Sequence, residues 1–197
     1  MLKKRKYNLR RMNVTNYESR LKEIIKNDDY IMSLLKAVEK LNVNDAWISA
    51  GLIRNKVWDV LHNIHTPIND IDVIYFDSMD TTWETEKELE KKLEIIVPNQ
   101  PWSVKNQARM HLKNGFEPFN SSYDGVAHFT EIPTAIAVKM CNCELKIMAP
   151  YGLEDLFNKI VKPTPYYQKS SKLRSIYSKR MQEKKWDTIW IDLSIEA

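Results

Sequence analysis

The segment NDIDVIYFD at positions 69–77 constrains this chain more than any other. Ile71, Val73, Ile74, Tyr75 and Phe76 are the β-branched, aliphatic and aromatic side chains that suit a pleated, packed surface. Side chains alternate along a strand, so Asp70 and Asp72 point the same way, about 7 Å apart at Cα. Two carboxylates at about 5 Å repel by roughly 3 kcal/mol at an effective dielectric of 20. Such a strand requires an offset from solvent, from an Arg or Lys, or from a metal ion.

The surroundings read as alternating helices and strands. Asp28 or Asp29 caps a helix with Ile31, Leu34, Leu35, Val38 and Leu41 at helical spacing, and a shorter helix around Leu21, Ile24 and Ile25 precedes it. Residues 46–49 read as a short strand. They run into AGLIRNKVWDVLHN, a Gly turn and a helix expected to place Ile53, Val57, Val60 and Leu61 on one side. Thr81 and Glu84 suggest a capping box that opens a charged helix to about Glu94. PWSVKNQARMHL reads as a strand turning into helix, and 134–148 as a hairpin around Asn142. YGLEDLFNKIV reads as a helix stopped by Pro163 and Pro165, and 169–185 as a basic helix. The expected class is α+β (α/β-like), a mixed β-sheet backed by helices.

At 197 residues the chain suggests one domain. The expected division is a basic extension at 1–16, a domain at 17–165, and a basic helical tail at 166–197 that packs on the domain or trails it. No apolar run approaches the ~20 residues of a membrane span. The N-terminal MLKKRKYNLRRM lacks the apolar stretch of a signal peptide. Cys141 and Cys143, one residue apart, read as a hairpin tip rather than a disulfide framework, which fits a reducing, cytoplasmic setting. The net charge of +4 is uneven: basic residues crowd both ends around an acidic middle. That pattern either tracks nucleic-acid phosphates or belongs to solvated termini. Tyr166, Tyr167, Tyr177, Trp186 and Trp190 suit stacking on nucleic acid or docking of the tail.

Two segments together carry the chemistry. A Gly at a strand-to-helix turn lets the backbone approach a phosphate, and the helix N-terminus favours an anion there. Asp70 and Asp72 on an adjacent strand suit Mg²⁺ or Mn²⁺, hard ions that take oxygen ligands and keep substrate phosphates in their shell. Lys105, Asn106 and Arg109 form a polar run that either binds triphosphate or makes a satisfied network under the sheet.

SAGLIRNKVWDVL followed by NDIDV resembles the signature of the polymerase-β-type nucleotidyltransferase superfamily, and AGLIRN is similar to the turn of tRNA CCA-adding enzymes. With WSVKNQARMH and APYGLEDLF, the chain resembles a bacterial family of predicted nucleotidyltransferases with unassigned substrate. The resemblance implies a nucleotidyltransferase fold. It implies a donor NTP whose triphosphate lies over Ala50 and Gly51, and a catalytic metal on Asp70 and Asp72. It further implies transfer of NMP to an acceptor hydroxyl on a small molecule, protein or RNA, with release of pyrophosphate. Arg54 matches the Arg of the turn, and Asn55 departs from its Asp. A third acid is expected on the neighbouring strand, where WSVKN offers Ser103 or Lys105. The alternative is therefore a nucleotide-binding or regulatory module of the same fold with reduced catalysis.

Overall fold

A computed structural model describes residues 17–196. A helix over 17–26 (α1) is followed by α2 (Asp29–Lys40), whose N-cap Asp28 accepts a hydrogen bond from the Ile31 amide. Then come β1 (Trp47–Ser49), α3 (Gly51–His62), β2 (Ile71–Tyr75), α4 (Trp83–Ile96) and β3 (Trp102–Asn106). Short helices α5 (Gln107–Met110) and α6 (Ser122–Ala127) lead to the hairpin β4 (Ala137–Cys141) and β5 (Glu144–Met148). The chain ends through α7 (Glu154–Phe157), β6 (Ile160–Val161), α8 (Pro165–Gln168), α9 (Ser171–Lys184) and β7 (Ser194–Ile195). The expected mixed α+β architecture is present. The five-stranded sheet has the order β3-β2-β1-β4-β5, with β2 and β3 parallel and the remaining neighbours antiparallel. No helix among the described residues is long and apolar enough to cross a membrane.

Alternation along the strands assigns the two faces of this sheet. Ile48, Ile71, Val73, Tyr75, Val104 and Val138 join the larger core, beneath Leu34 and Leu35 of α2 and Ile53, Val57 and Trp58 of α3. Trp47, Ile74 and Ala137 turn to the opposite face and pack with Val126 of α6 and with Met148. The register sets Asp72 beside Ser103 and Ile74 beside Lys105, so the polar positions of β2 and β3 share that second face. One face therefore holds the bulk of the fold, while the other is free to build a cavity.

Three local expectations change. Val60 is 46% exposed, whereas Arg54 and Asp59 are buried on the same helix. Trp190 reaches α3 from the C-terminal end and donates its indole N–H to Asp59 Oδ1 at 3.0 Å, which turns that side of the helix inward. The capping box is absent: Thr82 is the N-cap of α4 without a side-chain cap bond. Asp80 instead gathers the Thr82 amide and the Thr82 and Thr85 hydroxyls. The segment read as one helix at 151–161 is helical only over α7, because Lys159 adopts φ 60° and the chain then pairs with β7. The basic extension at 1–16 lies outside the described residues.

The aromatic residues near the C-terminus dock. Tyr177, Trp186 and Trp190 are 0%, 4% and 2% exposed. Trp58 meets Trp186 and Trp190 edge-on at centroid distances of 5.6 and 5.1 Å. Edge-to-face pairs add about 0.5–1.5 kcal/mol each beyond buried area. These residues belong to the core.

Candidate nucleotide and metal site

The turn between β1 and α3 carries its strain on Ala50, which adopts φ 56° and ψ −121°. That conformation favours glycine and costs an L-residue about 1–3 kcal/mol. Gly51 follows as the first residue of α3, and a Cβ added there would lie 3.8 Å from both Arg54 Nη2 and Asp70 Oδ1. Those are ordinary contacts, and they place the Arg54 guanidinium and the Asp70 carboxylate beside the turn. The first amides of a helix lack intrahelical acceptors and point outward, and the helix dipole adds positive potential.

Asp70 is exposed at the entry to β2, and Asp72 is half-buried on it. Burial, first, and the neighbouring Asp70, second, raise the pKa of Asp72; Lys105, a Ser103 hydrogen bond and Arg180 oppose the rise. Among the described residues no ion pair engages either aspartate. Among the described residues the offset demanded by the sequence is therefore not supplied by a lysine or arginine in an ion pair. No cluster of three or more His, Cys, Asp or Glu suited to a metal occurs among the described residues. Two hard carboxylates beside an anion-binding turn still fit Mg²⁺, which is usually held by one or two carboxylates plus substrate phosphates.

A cavity of about 240 Å³ on the second face of the sheet brings Ala50, Asp72 and Lys105 together with Thr134, Glu131 and Arg180. Asp70 lines another cavity, of about 400 Å³, together with Asn55 and Lys56. The smaller cavity is lined by Lys105 and Arg180, whose positive charges favour the Asp72 carboxylate, so it is the better phosphate site. Lys105 Nζ also lies 3.6 Å from Glu86 and 3.8 Å from Glu90, loose pairs that leave it at the cavity wall.

Two expected phosphate ligands are committed elsewhere. Asn106 is fully buried; its carboxamide caps α5 through the Ala108 amide and donates to the Asp77 and Asp80 carbonyls. Arg109 grips Glu86 with two bonds, Nε–Oε1 at 2.7 Å and Nη2–Oε2 at 2.6 Å. Both pin β3 to α4 and the turn that precedes it, the satisfied network rather than the triphosphate grip.

Arg54 is also internal. It is 5% exposed, donates to Thr134 Oγ1 at 2.8 Å and to Asn55 Oδ1 at 2.7 Å, and lies 3.9 Å above the Trp186 ring. Burial, opposed chiefly by Glu131, brings its pKa down to about 10, so it keeps its charge at neutral pH. It is thus a charged strut beneath the turn, tying α3 to the loop before β4 and to the C-terminal segment.

Sequence reasoning missed Glu131 and Arg180. Arg180 Nε donates to Glu131 Oε1 at 2.5 Å, and the fully buried Glu131 keeps Oε2 without a hydrogen-bond partner among the described residues. The pair comes from the loop before β4 and from α9, positions 49 apart with no local signature. Ser103 and Lys105 do occupy the positions beside Asp72 and Ile74, and neither supplies a third acid.

A sequence profile described as nucleotidyltransferase matches residues 36–195. A solved head domain of a CCA-adding enzyme, determined by NMR, is 31% identical with a TM-score of 0.80, covering 90% of this chain and 95% of that one. A CCA-adding enzyme solved with CTP is 11% identical at a TM-score of 0.58, over 91% of this chain and 43% of that one. An apo CCA-adding enzyme is 12% identical at 0.57, over 89% and 42%. At those identities the two larger enzymes show the shared fold alone, and the chain spans less than half of their length. No curated protein sequence matches the chain. The matched profile and the head-domain relative cover most of the chain, which belongs to the nucleotidyltransferase family.

Proposed function

We propose that this chain transfers a nucleoside monophosphate from an NTP to an acceptor hydroxyl and releases pyrophosphate. The observation that carries the reading is the Asp70–Asp72 pair, in no ion pair among the described residues and set beside the anion-binding turn. Asp70 and Asp72 would hold Mg²⁺ or Mn²⁺, which supplies charge neutralisation at the phosphates. Ser103 lies beside Asp72 in the strand register, where its hydroxyl favours the carboxylate form. The first amides of α3, with Lys105 and Arg180 at the cavity wall, offset the polyphosphate charge. In the reaction the acceptor oxygen bonds to the α-phosphorus, the bond to the bridging oxygen of the leaving pyrophosphate breaks, and the acceptor proton passes to solvent.

Ser103 and Lys105, where a third acid is expected, favour a second reading: a nucleotide-binding module with little or no turnover. Incubation with each α-³²P NTP and Mg²⁺ or Mn²⁺ in cell extract separates the two. Label transferred by wild type and not by Asp70→Ala/Asp72→Ala supports transfer. Metal-dependent NTP binding with no labelled product and no pyrophosphate supports the module. Equal labelling by wild type and variant overturns the assignment of the two acids.

A further inference from the structure

The cavity that begins at Ala50 and Asp72 changes character along its length. Its far wall is aromatic: Phe116, Phe119, His128 and Phe129 line it. The His128 ring lies 4.8 Å from Phe116 and 4.5 Å from Phe119 between centroids, at interplanar angles of 60° and 31°. Beside these rings the buried Gln107 also lines the cavity. Its Nε2 makes one long contact, 3.4 Å to the Lys105 carbonyl.

Gly125 of α6 makes room for that carboxamide. A Cβ there would lie 2.4 Å from Gln107 Oε1 and 2.9 Å from its Cγ. Real Cβ atoms do not approach so closely, so Gln107 occupies space that only a glycine leaves. The arrangement brings flat rings and a primary amide, with both a donor and an acceptor, into one space. Stacking on rings and hydrogen bonding at an edge is how proteins read an isolated base.

We infer that this aromatic end receives the nucleobase of the donor NTP, and that Gln107, held in place by Gly125, selects the base. The inference rests on the proposed transferase reading, because the continuous cavity joins the aromatic end to the phosphate end. An aromatic acceptor is the competing occupant, and the ligands of the test separate it from the donor base.

Titration calorimetry on the full chain with Mg²⁺ would compare ATP, CTP, GTP and UTP with inorganic tripolyphosphate. Phe116→Ala should weaken binding of the preferred NTP by about 5- to 150-fold, the loss of one stacked base, and leave tripolyphosphate binding unchanged. Phe116→Tyr should restore it. Gly125→Ala should alter the order of preference among the four NTPs. If alanine at 116 compromises folding, seen as lost near-UV circular dichroism, Phe116→Leu carries the same test. NTP binding indifferent to both sites, or NTP and tripolyphosphate weakened alike, overturns the inference and leaves the transferase reading standing. Wild type that binds tripolyphosphate and no NTP more tightly also overturns the base pocket. No binding of either ligand overturns the transferase reading and, with it, this inference.

Discussion

Arg180→Met tests how the cavity wall is held. Glu131 is fully buried, with one oxygen taken by Arg180 and the other unpartnered. Removing Arg180 leaves a buried carboxylate with neither oxygen hydrogen-bonded, a change that costs 3–5 kcal/mol when both charges are deep. The Arg180 side chain is 35% exposed, so water can reach its place and the lower end applies, about 3 kcal/mol. For a chain of this size each kcal/mol moves Tm by about 2–4 °C, so the variant should melt about 6–12 °C lower. Glu131→Gln/Arg180→Met removes both charges and should recover about half of the loss, since only neutral polar groups remain imperfectly paired. Urea unfolding at neutral pH, read by fluorescence of the buried tryptophans, completes the cycle. A cost below about 1 kcal/mol for Arg180→Met, or a double variant no more stable than the single one, would refute the argument that Glu131 depends on Arg180.

Other perturbations reach the turn and the acids. Asp72 has a raised pKa in the fold, so its ionisation opposes folding as pH rises from the unfolded value of 3.8 through the folded one. Asp72→Asn should therefore exceed wild type in stability at pH 7 in chelator, with the gap closing as pH falls towards 3.8; a pH series of thermal melts reads this. Mg²⁺ at about 100 times its Kd should add about 2.7 kcal/mol to wild type and nothing to Asp72→Asn, as measured by differential scanning calorimetry. Ala50→Gly should stabilise by about 1 kcal/mol in urea unfolding, strain relief exceeding the added unfolded-state entropy. Arg54→Lys should cost about 2–3 kcal/mol by the same assay, because an ammonium cannot reach Asn55 and Thr134 together while stacking on Trp186.

What the sequence reveals about this molecule is largely local. Alternation in NDIDVIYFD, helical spacing in α2 and the turn before α3 are short-range signals, and each reappears in the structure at nearly the expected residues. Asp80 illustrates a near miss: Asp, like Thr, satisfies amides ahead of a helix, and its carboxylate gathers the Thr82 amide and two threonine hydroxyls in place of the expected box. Asn106 had a legible alternative too, since an Asn between strand and helix is a favoured N-cap. The direction of Arg54, the burial of Asp59 and the Glu131–Arg180 pair were not legible. All three depend on the C-terminal segment returning to α3 and to the loop before β4, and no periodicity records a contact of that range.

Asp70 and Asp72 are proposed to hold a divalent ion beside a bound polyphosphate. Electron paramagnetic resonance of Mn²⁺ titrated into wild type and Asp70→Asn/Asp72→Asn, each with and without tripolyphosphate, measures it directly. Mn²⁺ binding should tighten with tripolyphosphate in wild type and be lost in the variant. Equal Mn²⁺ affinity in the two proteins, with or without the polyphosphate, would contradict it.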